Sequence, residues 1–137
     1  MSNEYQLSAS GTRHQSIFTP GAAPPGGHYV QATAWGDLVF VSGQLPIDRD
    51  GKREPGLSFE EQARLTLGNL LAILREAGSS PERVLKVTAY IVGVSNWAEF
   101  NTVYAELFGD SRPARAVVPV PELHHGFLLE VEAIAYR

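Results

Sequence analysis

A chain of 137 residues, 44% hydrophobic and 19% charged, has the size and balance of one folded domain with a real core and not those of a disordered segment. The formal net charge of −4 supplies no basic field for a nucleic-acid backbone, and the lack of cysteine excludes disulfides, thiolate metal sites and a cysteine nucleophile. Apolar runs such as Leu38-Val39-Phe40-Val41 fall far short of the ~20 residues that a membrane helix needs. The opening residues, Met1 to Gln6, lack a basic stretch followed by an apolar one, so no secretory signal is expected and a cytoplasmic location is the default.

Taken in chain order, Ser8 to Gly27 is rich in small residues, with Pro20-Gly21 and Pro24-Pro25-Gly26-Gly27, and is expected to be loop. A first strand is expected near Tyr29 to Thr33, and a second from Leu38 to Val41, stopping at Ser42-Gly43. Ser58 and Glu61 have the spacing of a capping box, and Ala63, Leu67, Leu70, Leu71 and Leu74 recur at helical period up to a stop at Gly78. The other face of that helix, with Gln62, Arg64 and Arg75, is expected to be wet. From Val84 to Val92 the period becomes two, with Leu85, Val87, Ala89 and Ile91 alternating with Lys86, Thr88 and Tyr90. Asn96 and Glu99 suggest a second capping box. Its helix carries Trp97, Phe100, Tyr104, Leu107 and Phe108 on the apolar side and ends at Gly109. Strands from Ala116 to Val120 and from Phe127 to Ala135 complete the chain.

Two helices and about five strands are most economically arranged as an α+β domain with both helices on one face of a mixed sheet. In the last strand, alternation assigns Phe127, Leu129, Val131 and Ala133 to the helix side. Leu128, Glu130, Glu132 and Ile134 fall on the other side, which lacks a cover within the chain, and a second copy of the protein is expected to supply it.

Several segments, in this order, resemble the Rid (YjgF-type) family. They are Tyr29-Val30-Gln31-Ala32, Gly36 to Gln44, Asn69-Leu70, Lys86-Val87-Thr88, Phe100-Asn101-Thr102-Val103-Tyr104, Pro113-Ala114-Arg115 and Glu130 to Ala135. The similarity covers residues 16–137 as one domain and leaves residues 1–15 as an N-terminal extension, expected to be flexible. The resemblance implies a chorismate-mutase-like fold assembled as a homotrimer with intersubunit clefts. It also implies a cofactor-free hydrolase that converts reactive enamines and imines, such as 2-aminoacrylate, to 2-keto acids and ammonia. Some relatives have been labelled ribonucleases, a label to which the net charge of −4 lends no support.

By the same resemblance Arg115 would hold the substrate carboxylate, for which a planar guanidinium offers paired donors. On its local sequence alone it reads first as a surface arginine. Glu130 would orient or activate the attacking water. The alternative is a structural ion pair, and Glu132 reads as a structural partner. Tyr29, Ser42 and Gly43 match cleft-lining positions, against the alternatives of a packed tyrosine and a strand-ending turn. Asn101 matches the cleft edge and reads equally as a helix-surface residue. Val117 stands where many members have cysteine or threonine and Ala116 where serine is common, so this pocket wall is more apolar. His28 and the His124-His125 loop also depart from the family pattern, which bears on substrate identity. Among the four histidines, His124 and His125 are adjacent, and adjacent side chains on an extended segment point apart, so no metal site is expected. Phosphate-binding glycine loops and Ser-His-Asp patterns are absent too. The readings left open are a deaminase, a relative acting on a different substrate, and a non-catalytic trimer that binds small metabolites or a partner protein. Neither nucleic acid nor membrane is an expected partner.

Overall fold

The structure, a computed structural model, describes the backbone of residues 3–4 and all of residues 14–137. The remaining residues of the N-terminal extension lie outside the described residues. Seven strands form one mixed sheet: β1 (Asn3–Glu4), β2 (Gln15–Ile17), β3 (Ala32–Trp35), β4 (Leu38–Gln44), β5 (Val84–Ile91), β6 (Ala114–Pro119) and β7 (Leu129–Tyr136). Their spatial order is β1-β2-β3-β4-β7-β5-β6, and only β5 and β6 pair in parallel. Helix α1 (Phe59–Glu76) crosses from β4 to β5, and α2 (Trp97–Phe108) crosses from β5 to β6. Both helices pack on the same sheet face, as their apolar stripes require.

Helix α1 starts where its capping box predicts. The Ser58 Oγ accepts from the Glu61 N–H at 3.1 Å, and the Glu61 carboxylate accepts from the Ser58 N–H at 3.3 Å. Ala63, Leu67, Leu70 and Leu74 are fully buried, and Gly78 (φ 84°) turns the chain out of the helix. Gln62 corrects the expectation of a wet face, since it is fully buried. Its amide donates to the carbonyls of Pro55 and Leu57 at 3.2 and 3.0 Å and accepts from the Leu128 N–H at 2.9 Å. An amide that satisfies three loop groups can be buried, and helical periodicity does not register that.

Five further expectations move. The segment expected to be loop contains β2, three residues paired with β3, too short for a period to show. The strand expected at Tyr29 begins at Ala32. Gln31 is 1% exposed and is used as a staple, accepting from the Thr19 N–H at 2.7 Å and donating to the carbonyls of Thr19 and Ala23. Strand β4 continues through Ser42-Gly43 with a register shift between Val41 and Gln44, where a stop was expected. Another register shift, between Val84 and Lys86, turns Val84 inward and leaves Leu85 45% exposed. The second capping box does not form. Asn96 closes a short 3-10 turn with helical φ/ψ, and its amide donates to the Val92 carbonyl at 2.9 Å.

The two sheet faces differ as alternation predicts, except that Leu128, expected on the uncovered face, precedes β7 and packs against the core. Val39, Leu129, Val131, Val87, Ala89 and Ile91 are fully buried beneath the helices. On the opposite face Trp35, Leu38, Phe40, Ile134 and Tyr136 lie together through the pairs Trp35–Leu38, Leu38–Tyr136 and Phe40–Ile134. Nothing within the described chain covers them; Trp35 remains 52% exposed and Phe40 41%.

Candidate functional site

The candidate residues separate into two groups, one on each sheet face. The first gathers where β4 meets β7. The register shift in β4 brings Gly43 beneath the Glu130 side chain: a Cβ on Gly43 would run into the Glu130 Oε2 and come within 3.1 Å of its Cδ. Glycine is needed here for close approach and not for an unusual backbone angle. Ser42 is tied down rather than free, its hydroxyl donating to the Val30 carbonyl at 2.6 Å and its N–H to the Gln31 carbonyl at 2.9 Å. Tyr29 is half exposed in a bend, and its hydroxyl accepts from the Gly26 N–H at 3.1 Å. Tyr29, Gln31, Gly43 and Gln44 line one small pocket with Pro24 and Leu45.

Glu130 itself is partly buried and makes no ion pair among the described residues. Burial holds its carboxyl above the ordinary carboxylate range, and the neighbouring Glu132 adds to this while His124 opposes it. His124 and His125 do not point apart as expected. His125 adopts φ 63°, which folds its ring back until the two ring centroids are 3.7 Å apart. Burial, then His124 and Arg53, push the His125 imidazole below its usual value. No cluster of three or more His, Cys, Asp or Glu suited to a metal occurs among the described residues.

The second group lies along β6 and α2. Arg115 is the second residue of β6 and pairs in register with Val87, whose side chain is on the helix face. Its guanidinium therefore meets α2, where one Nη2–H donates to the Asn101 Oδ1 at 2.8 Å. The same guanidinium lies 4.8 Å from the Tyr104 ring centroid and 5.5 Å from that of Phe100. Val117, two residues along the strand, shares this face and packs against the core, while Ala116 turns to the other. Asn101 and Tyr104 were assigned separate roles in the sequence, but their i, i+3 spacing on α2 puts both beside Arg115. That spacing was the available signal for the aromatic neighbours, which hydrophobic periodicity assigns only to the core.

Glu130 pairs in register with Tyr90, three residues along β5 from the position opposite Arg115. Two strand spacings and three residue rises separate their backbones by roughly 14 Å, with the side chains on opposite faces. Within one copy of the chain the two groups cannot reach one small molecule together.

Comparison with known proteins agrees with this architecture. The sequence model of the family described as Endoribonuclease L-PSP matches residues 20–137. A RutC family protein of Pyrococcus abyssi is 44% identical over 121 residues, 88% of this chain and 95% of that protein. The crystal structure of Escherichia coli TdcF with bound serine superposes with a TM-score of 0.84 at 36% identity, covering 90% of this chain and 98% of that one. The YjgF gene product of E. coli does so with a TM-score of 0.84 at 31% identity, covering 90% and 98%. Two helices on one face of a mixed sheet are thus the chorismate-mutase-like fold of these proteins. On sequence and fold together, the chain belongs to the Rid (YjgF-type) family.

Proposed function

We propose that this protein hydrolyses small carboxylate-bearing imines and enamines to 2-keto acids and ammonia, in clefts formed between copies of the chain. The observation that carries the reading is Glu130: a partly buried carboxylate with no ion-pair partner among the described residues and a raised pKa. A structural glutamate is ordinarily paired, whereas a general base is most useful when its pKa approaches the working pH.

In the proposed reaction Arg115 of one copy binds the substrate carboxylate, and Glu130 of another faces the C=N carbon. An enamine first takes a proton from solvent at its terminal carbon and becomes the protonated imine, and an imine substrate reaches the same state by taking a proton on nitrogen. Glu130 then removes a proton from water as the oxygen bonds to the carbon of the protonated imine, and the C=N π electrons pass to nitrogen to give a carbinolamine. The proton held by Glu130 passes to that nitrogen. The C–N bond breaks, C=O forms as the hydroxyl loses its proton, and ammonia leaves. Every step is proton transfer and addition, so the chemistry requires no redox partner. Gly43, without a side chain, leaves room for the Glu130 carboxylate, and it lines a small pocket together with Tyr29. Val117 and Asn101 border Arg115, and the apolar Val117 favours a substrate with a small apolar side chain.

The assembly we propose is a homotrimer, in which the apolar strip of Trp35, Phe40, Ile134 and Tyr136 is covered by other copies. Light scattering at micromolar concentration should return three times the chain mass; a monomer would leave the cleft unbuilt. The endoribonuclease description attached to the family is not extended to this chain, whose net charge of −4 offers no phosphate-binding field. The direct test generates 2-aminoacrylate from serine, or its homologue from threonine, with a dehydratase and follows 2-keto acid release. Release should accelerate in proportion to added protein, and a rate equal to that without it would refute the deaminase.

A further inference from the structure

We propose that Tyr104 is a positioning residue for carboxylate recognition, an aromatic platform that fixes the orientation of the Arg115 guanidinium. The inference rests on the reading of Arg115 as the carboxylate anchor and adds to it. Arg115 is exposed, and its long side chain would ordinarily sample many rotamers in water. Of its three contacts with one helix face, the two nearest restrain it most, with the Phe100 ring farther off at 5.5 Å. Asn101 accepts one Nη2–H at 2.8 Å, and the Tyr104 ring lies beneath the guanidinium carbon at 4.8 Å. A hydrogen bond at one corner and a π face below together define both the rotation and the tilt of a planar cation. One of the five guanidinium N–H groups is used by Asn101, and the others stay available for a two-pronged contact with a carboxylate.

The platform is itself immobile. Tyr104 is 7% exposed, stacks on Phe108 with ring centroids 4.3 Å apart, and meets Phe100 at 5.5 Å. Its hydroxyl is buried without a hydrogen-bond partner among the described residues, and burial, against the Arg115 charge, pushes the phenol up to about 12, so the ring stays neutral. The hydroxyl therefore does nothing to hold Arg115. The ring does, and phenylalanine is the conservative replacement.

The test is calorimetric binding of 2-oxobutanoate, a carboxylate with no aromatic ring of its own, to the full-length protein and its variants. Tyr104→Phe should bind within about twofold of wild type, whereas Tyr104→Leu should weaken binding about three- to tenfold. In an Arg115→Ala background, Tyr104→Leu should add no further loss, because its effect passes through the guanidinium. Equal binding by Tyr104→Leu and wild type, or an equal loss in both backgrounds, would overturn the inference while leaving Arg115 as the anchor. If wild type and Arg115→Ala bind alike, the anchor reading fails and the inference falls with it. Should the leucine variant not fold, the wild-type NMR spectrum decides. Ring current from Tyr104 should move the Arg115 side-chain protons upfield, and their appearance at solvent-exposed arginine positions would contradict the platform.

Discussion

Arg115 and Glu130 lie two strands apart, and the structure treats them in opposite ways. The guanidinium is exposed but held, with Asn101 at one edge and Tyr104 and Phe100 beneath. The carboxylate is partly buried but left without an ion pair among the described residues, over a glycine that gives it room. A group that binds by charge gains from fixed geometry while its charge stays available. One that moves a proton gains from a lifted pKa, and burial, with Glu132 adding to it, outweighs the opposing charge of His124 to raise that of Glu130. In the proposed reaction these two environments would be joined by a second copy of the chain.

The largest effect should follow from removing the proton acceptor. Glu130→Gln keeps the shape of the side chain but cannot take a proton, so kcat should fall on the order of 10²- to 10⁴-fold with carboxylate binding largely retained. Stability should move the other way. A carboxyl whose folded pKa is raised holds its proton more tightly in the folded state. Its contribution to stability is therefore full below the unfolded pKa and is lost as pH rises through the folded value. At neutral pH Glu130 accordingly opposes folding, and Glu130→Gln should melt higher than wild type. A lower melt with unaltered kcat would make Glu130 structural. In the wild-type protein the acid limb of kcat/KM should lie above the ordinary carboxylate value of 4.5, since the base must be ionised to act.

Next in size is Arg115→Ala. Leaving a bound carboxylate without its charged partner costs roughly 2–5 kcal/mol, which is on the order of 30- to 3,000-fold in kcat/KM. Arg115→Lys should recover only part, because a point charge lacks the planar fork. Both should melt near wild type, since the head group serves a ligand and not the core. Full activity would sink the anchor. A smaller loss, about tenfold in kcat, is expected for Gly43→Ala, whose methyl must displace the Glu130 carboxylate while the strand stays intact. Chelators should change nothing, because the proposed steps use only proton transfers; loss with chelator and recovery with a divalent cation would contradict them.

The regular parts of this fold were legible because one period or one motif dominates each. Ser58 and Glu61 mark the start of α1, and the alternation of β7 separates Val131 from Glu130 and Glu132. What escaped was set by tertiary partners. Gln62 is buried because loop carbonyls and the Leu128 N–H just before β7 happen to complete its amide, and Leu85 is exposed because of a register shift. Strand β2 exists only through β3. At the candidate site, the roles proposed for Arg115 and Glu130 come from the family resemblance. Their placement on opposite faces needed the parallel pairing of β5 with β6 and the antiparallel pairing of β5 with β7. The placement of Tyr104 beneath the Arg115 guanidinium was hidden because a core aromatic and an aromatic under a cation have the same sequence signature.

The central claim is that each active cleft takes Arg115 from one copy and Glu130 from another. It is tested most directly by mixing two inactive proteins. Arg115→Ala and Glu130→Gln subunits, unfolded together in equal amounts and refolded, should form hybrid assemblies in which some clefts receive both wild-type residues. Random mixing puts the intact pair in about a quarter of the clefts, so about a quarter of the wild-type deaminase activity should return. Hybrid assemblies that form but stay as inactive as either parent would mean that both residues must come from the same chain, and the two-copy site would be wrong.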